Sequence, residues 1–245
     1  MTGYVGDFAT AYDRFWAPYP RRMAETWLAF HTAVAPEAER SLLDVGCGTG
    51  IVAERFRAAG YSVVGLDVSA AMLDRARERL GDDAVLIEAD AAGFTVPRTV
   101  AFALSTYDVP NHLGGIDRVR GYLHSVHRAV RPGGWLGFDL CTRRGLRADL
   151  APVTRDDETI SVAVHRGALD PATDQRPLHI SGSAGGTPFA TTITNTAYPV
   201  ADVLAALAEA GWVDAYPATL EDVRTPIADP EERDRIAVVA RRGGG

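Results

Sequence analysis

From Leu42 onward the chain alternates between short apolar runs and segments whose apolar residues recur every three or four positions. The runs at 42–45, 62–67, 84–89, 100–104 and 135–140 read as strands. The stretches 51–59, 70–80 and 116–130 between them carry helical spacing, and Val130-Arg131-Pro132-Gly133-Gly134 reads as a turn before the fifth strand. Strands alternating with helices predict an α/β fold, a parallel sheet with helices on both faces. Over residues 142–199 the rhythm changes. Thr159–His165, Leu178–Gly182 and Phe189–Tyr198 alternate polar and apolar positions and are rich in Thr. They predict a small antiparallel β insert after the fifth strand. Val200–Ala210 is amphipathic and stops at Gly211, and Trp212–Tyr216 and Arg235–Ala240 supply two last strands before a frayed Arg241–Gly245.

The first 35 residues are rich in aromatics: Tyr4, Phe8, Tyr12, Phe15, Trp16, Tyr19, Trp27 and Phe30. Spacings of three and four predict helices on either side of Pro18 and Pro20. Such stripes serve either as core-facing surfaces or as a lid. No repeat or long linker divides the chain. A single domain over 1–245 is expected, with an N-terminal helical segment at 1–35, a core at 40–141, the insert at 142–199 and the end of the sheet at 200–245.

The first strand carries the clearest chemistry. Leu42-Leu43-Asp44-Val45 runs into Gly46-Cys47-Gly48-Thr49-Gly50 and then a helix. Glycines let backbone approach a ligand closely, and the helix start adds unpaired N–H donors. The spacing is G-x-G-x-G, and Ile51 stands where a dinucleotide fingerprint needs a small residue. A phosphate loop would need Lys, and all 25 basic residues are Arg. The second strand ends in Asp67, 21 positions after Gly46, close to the ~20-residue offset of a ribose-binding acid. A ribose partner without a pyrophosphate site suits S-adenosylmethionine better than NAD.

These motifs resemble the class I S-adenosylmethionine-dependent methyltransferases over roughly residues 40–140. The resemblance implies the Rossmann-like sheet of that family. It implies that Asp44, Gly46, Cys47, Gly48 and Gly50 form the cofactor loop and that Asp67 binds ribose. Val68-Ser69-Ala70-Ala71-Met72-Leu73 is similar to the family's D-x-S-x-x-M-L, which places Val68 and Met72 beside adenine. Asp90, with Ala91, matches the acid near the adenine amino group. Ala11-Tyr12-Asp13 is similar to the A-x-x-Y-D of an N-terminal lid helix, with Tyr12 over the methionine end.

In an open α/β sheet the ligand lies at the C-terminal strand ends, at the switch in strand order. The end of the fourth strand reads Ser105-Thr106-Tyr107-Asp108-Val109-Pro110-Asn111-His112-Leu113, unusually polar for the margin of a buried sheet. Ser105 is expected beside the cofactor, with Tyr107, Asp108 and His112 as catalytic candidates. Asn111 and Asp139 are alternatives, each with a capping or turn role open to it. His112 serves either as a base for a hydroxyl acceptor or to position an amine. His124, His127, His165 and His179 read as structural or exposed, and no cluster has metal-ligand spacing.

Composition narrows the partners. A net charge of −7 argues against nucleic-acid or anionic-membrane binding. No run reaches ~18 apolar residues, and Met1–Thr10 lacks a secretory pattern. Cys47 and Cys141 read as reduced, and a cytoplasmic place follows. Thr106-Tyr107-Asp108-Val109-Pro110 matches poorly the Asn/Asp-Pro-Pro-Tyr/Phe of base-amine methyltransferases. A small-molecule acceptor is therefore expected, and the architecture resembles glycine N-methyltransferase-like and deoxyamino-sugar N-methyltransferases of natural-product biosynthesis. A homodimer would use the insert. Cyclase or lyase chemistry on the same cofactor, or an inactive cofactor-binding partner, stay open as alternatives.

Overall fold

The computed structural model describes residues 6–35, 39–82 and 84–244; Tyr4 lies outside them. Two helices lead, α1 (Gly6–Phe15) and α2 (Pro18–Val34). The break between them falls at Ala17, because Pro18 has no N–H to continue the helix. The core then alternates as β1 (Ser41–Val45), α3 (Ile51–Ala58), β2 (Ser62–Asp67), α4 (Ala70–Leu80), β3 (Val85–Glu88), β4 (Val100–Ser105), α5 (Ile116–Ala129) and β5 (Val130–Cys141). A short helix α6 (Arg143–Arg147) precedes the insert strands β6 (Val153–Asp156), β7 (Ile160–Arg166), β8 (Gln175–Ala184) and β9 (Thr187–Thr196). The chain closes with α7 (Val200–Glu209), β10 (Trp212–Ala218) and β11 (Arg235–Arg242).

Seven strands form the main sheet in the order β10-β11-β5-β4-β1-β2-β3, and β6 to β9 form a separate antiparallel sheet. The first five strands are mutually parallel, and β11 runs antiparallel to both β5 and β10. The order reverses between β1 and β4, which places the ligand crevice at their C-terminal ends. β1 and β4 are buried at every residue, as a strand covered by helices on both faces must be. One face packs Met23, Trp27 and Phe30 of α2 with Phe56 and Phe102. The other packs Tyr122 and Val126 of α5 with Phe138, Leu207 and Trp212. Gly137 makes room for Trp27, whose ring would lie 2.5 Å from any Cβ there.

The structure corrects the sequence reading in three places. The Arg-Pro-Gly-Gly segment is not a turn ahead of the fifth strand but a bulge inside it: Val100 pairs Val130 while Phe102 pairs Trp135. Gly133 takes φ +77°, and a Cβ on Gly134 would stand 2.7 Å from the Ala101 carbonyl oxygen. The insert has a fourth strand, β6, exposed at every residue and so without the alternation that marks a half-buried strand. Arg241 and Arg242, expected in a frayed tail, are paired strand residues, Arg241 with Trp135 and Val213 and Arg242 with Trp212; Val109–Leu113 is a 3-10 turn. The aromatic helices pack against different partners. α2 faces the main core, whereas Phe8 and Tyr12 of α1, with Trp16 just after it, pack with Ile160, Val162, Ile180 and Phe189 of the insert.

Candidate active site

Gly46, Gly48 and Gly50 all take left-handed φ, at +71°, +54° and +81°. The chain can therefore fold back so that the Gly46 and Cys47 N–H groups donate to the Leu66 carbonyl at 2.7 and 2.9 Å. A Cβ on Gly46 would strike Val109 at 2.5 Å, whereas one on Gly48 would meet nothing within 4 Å. Gly48 instead faces a cavity of about 830 Å³. Asp67 holds the loop from the next strand: its carboxylate accepts from Gly48 N–H and from Ser69 N–H, each at 2.9 Å. Burial pushes its pKa up, against those backbone donors. Ser69 caps α4 through the Met72 N–H.

Four of the expected cofactor residues stand behind this surface. Gly50 opens α3 against Ala76. Cys47 is buried, and burial pushes its thiol well up. Asp44 is 1% exposed, and its Oδ2 has no hydrogen-bond partner among the described residues. Burial, and next the Asp67 charge, raise its pKa to about 7 against the Ala53 backbone bond. Ser105 departs most from expectation. Its hydroxyl shares a 2.8 Å hydrogen bond with Tyr122 of α5, so it points into the core. Tyr12, Gly46, Gly48, Asp67, Val68, Met72, Asp90 and Ala91 do line the cavity.

Strand order sets the layout. Asp67 ends β2 and Asp90 follows β3 on one side of the switch, and Tyr107, Asp108 and His112 follow β4 on the other. There, Tyr107 and Asp108 are consecutive non-glycine residues with φ +71° and +54°. One buried carboxylate holds both, since Asp139 accepts from Tyr107 N–H at 2.6 Å and from Asp108 N–H at 3.1 Å. Asp139 also accepts from the Tyr19 hydroxyl at 2.8 Å and from Arg235 at 2.5 Å. Arg235 reaches Asp108 as well, at 3.0 Å. Burial works against the Asp108 charge, but Arg235 and His112 hold its pKa well below the usual carboxylate range. His112 Nε2 lies 3.9 Å from Asp108 Oδ1. Burial and the Asp108 charge raise the Tyr107 phenol to about 12, so it stays neutral.

Asn111 is structural. Its amide donates to the Cys141 and Thr196 carbonyls, and its oxygen accepts from Cys141 N–H, pinning the 3-10 turn to β5 and the insert. The insert supplies a further wall that the sequence reading missed, including Arg166, Arg176 and Asn195. Both arginines donate to carbonyls at the end of α6. Arg235 was missed too; its only signal is a cation opening the apolar run Ile236–Ala240.

Phe8 and Tyr12 of α1, with Trp16 just after it, roof the site. Asp13 fastens it to the core through Thr49 Oγ1 and through Arg79 at 2.9 Å, and Arg14 reaches Asp157 of the insert at 2.6 Å. Among the described residues no group of three or more His, Cys, Asp or Glu is placed to hold a metal, and no helix is long and apolar enough to cross a membrane.

A left-handed glycine loop open to a cavity, with a buried carboxylate one strand over, fits S-adenosylmethionine. Residues 42–134 match the family model described as a methyltransferase domain. The matching segment, from β1 to the bulge of β5, carries the Rossmann-like sheet of the class I S-adenosylmethionine-dependent methyltransferases. The chain is 28% identical over 188 residues to the dTDP-3-amino-3,4,6-trideoxy-alpha-D-glucopyranose N,N-dimethyltransferase of Streptomyces venezuelae, covering 69% of this chain and 78% of that one. It is 31% identical over 146 residues to a ubiquinone biosynthesis O-methyltransferase of Klebsiella pneumoniae, covering 58% of this chain and 59% of that one. Its fold superposes on a sugar N-methyltransferase from a Streptoalloteichus species with a TM-score of 0.78 at 22% identity, over 99% of this chain and 94% of that one.

Proposed function

We propose that this enzyme methylates an amine nitrogen of a small molecule, of the amino-sugar type, in natural-product biosynthesis. The observation that carries the reading is the Asp108–His112 pair on the floor of a roofed cavity. A carboxylate held ionised by Arg235 matches an acceptor that arrives as an ammonium ion. About 830 Å³ fits a cofactor and a small acceptor together, beneath the aromatic side chains Phe8, Tyr12 and Trp16. The names of the Streptomyces and Streptoalloteichus relatives, both nitrogen methyltransferases of sugars, support the same class.

S-adenosylmethionine, when bound, supplies an electrophilic methyl group on a sulfonium. Asp67 would take the ribose hydroxyls, Gly46 and Gly48 would give it a close backbone surface, and Asp90, Ala91, Val68 and Met72 would flank adenine. Asp108 and His112 orient the acceptor nitrogen, the His112 imidazole receives its proton, and Tyr107 stays a neutral hydroxyl beside them. Orientation does much of the work, because holding reactants in line replaces a bimolecular encounter. Phe8, Tyr12 and Trp16 act as the lid that excludes water. A homodimer through the insert and a cytoplasmic place complete the proposal.

The test is turnover with S-adenosylmethionine and a panel of amino sugars, free and nucleotide-linked, beside catechols and phenols. Gain of one or two methyl groups on an amino sugar, with S-adenosylhomocysteine formed, is the expected result. Methylation of phenols alone would overturn the nitrogen reading, and product without S-adenosylhomocysteine would point to cyclase or lyase chemistry.

A further inference from the structure

Arg118 stands where two walls of the cofactor side meet. It lies in the first turn of α5 and does not itself line the cavity. Its Nη2 donates to Asp90 Oδ2 at 2.6 Å and its Nε to the Leu113 carbonyl at 2.8 Å. Asp90 and Leu113 do line the cavity. They belong to segments that the sheet leaves independent. Asp90 follows β3 at one edge, Leu113 ends the turn after β4, and β1 and β2 lie between. A planar guanidinium bonded to both fixes their relative position in a way a flexible ammonium would not. Asp90 Oδ1 is fixed in turn, accepting from Ala92 N–H at 2.9 Å. With one donor on each oxygen the carboxylate plane is set, and each oxygen keeps a lone pair for a ligand.

We propose that Arg118 is a positioning residue for nucleobase selection: by aiming Asp90, it makes the cavity prefer an amino group over an oxo group at the base edge. The proposal rests on the reading of Asp90 as the partner of the adenine amino group. An ionised carboxylate only accepts hydrogen bonds. An amino group donates to it, whereas an oxo group at the same place leaves both partners unpaired. Arg118 also keeps Asp90 charged: its hydrogen bond and the Ala92 N–H outweigh burial and hold the carboxyl below its usual range. The Arg118 and Asp90 side chains are 42% and 40% exposed, so the pair adds little to folding and its role is separable from stability.

The experiment is calorimetry of S-adenosylhomocysteine and of S-inosylhomocysteine, which carries oxo in place of amino, on the full chain and on R118A, R118K and D90A. The native chain should prefer the adenosyl compound by about tenfold or more, the scale of one hydrogen bond to a charged group. D90A should abolish that preference. R118A should cut it to within about threefold while the melting temperature stays near the native value. R118K should recover only part of it, because an ammonium lacks the fork. If R118A weakens both ligands equally and keeps the native ratio, Arg118 is merely structural and the proposal is overturned. A native ratio in D90A overturns the reading of Asp90 itself, and the proposal with it. Absence of S-adenosylhomocysteine binding to the native chain would overturn the cofactor reading instead.

Discussion

Arg235 and Asp139 meet at 2.5 Å on neighbouring antiparallel strands, and Asp139 is wholly inaccessible to solvent. The pair sits under the two left-handed residues of the candidate catalytic turn. Breaking it from one side leaves charge buried without a partner. Arg235→Gln, which leaves Asp108 and Asp139 facing each other, should cost about 3–5 kcal/mol of stability. The double variant D139N/R235Q should regain part of that loss. Urea unfolding of the two variants and the native chain decides it; equal losses in single and double variants would deny the coupling.

Asp67 has two duties, since the same carboxylate holds Gly48 and faces the cavity. Asp67→Ala should weaken S-adenosylhomocysteine by about 1.5–3 kcal/mol, the range for hydrogen bonds to a charged group. Calorimetry reads this directly, and undiminished affinity would remove Asp67 from the site.

Asp13 latches α1 to Thr49 and Arg79. Its carboxylate is only 18% exposed and accepts from the buried Thr49 hydroxyl, so Asp13→Ala should lower stability by about 1–3 kcal/mol. Amide exchange over α1 should quicken, as expected where opening is local, and cofactor affinity should fall. Unaltered protection of α1 would show that Asp13 is not the latch.

His112→Ala separates positioning from base catalysis. With an amine acceptor, KM should rise while kcat falls only severalfold, the pattern of lost uniform binding. A fall in kcat of about 10²–10⁴-fold at constant KM would make His112 a general base. Steady-state kinetics on a methylated acceptor gives the answer.

Asp44 predicts a pH dependence. Its folded pKa is about 7 against an ordinary 3.8. A raised carboxyl pKa means the folded state holds the proton more tightly, so the stability contribution is complete below the unfolded value and lost as pH rises through about 7. Asp44→Asn cannot ionise. Relative to the native chain without added cofactor, it should gain stability from pH 5 to about pH 7 and level off by pH 8. Urea unfolding at four pH values across that window tests this, and a constant difference would place the Asp44 pKa elsewhere.

The sequence determined the main sheet and the cofactor loop because both are written locally. Apolar runs of five or six residues buried on both faces, as in β1 and β4, leave no other place for their side chains. Glycines at 46, 48 and 50 are the residues that carry left-handed φ without strain, and the loop shape follows from them. Asp67 was legible for the same reason, being fixed one strand away. Tertiary structure decided the rest. Ser105 and Thr106 are neighbours at the end of one strand, yet Ser105 turns to Tyr122 while Thr106 lines the cavity, because successive side chains of a strand face opposite ways. Asn111 looked chemical and proved structural once Cys141 and Thr196, 30 and 85 positions away in sequence, came to meet it. Arg235 stands 127 positions from Asp108, and only the antiparallel docking of β11 on β5 brings the cation to the carboxylates. No local pattern encodes such a meeting: β pairing sets it, and the desolvated charges then require each other.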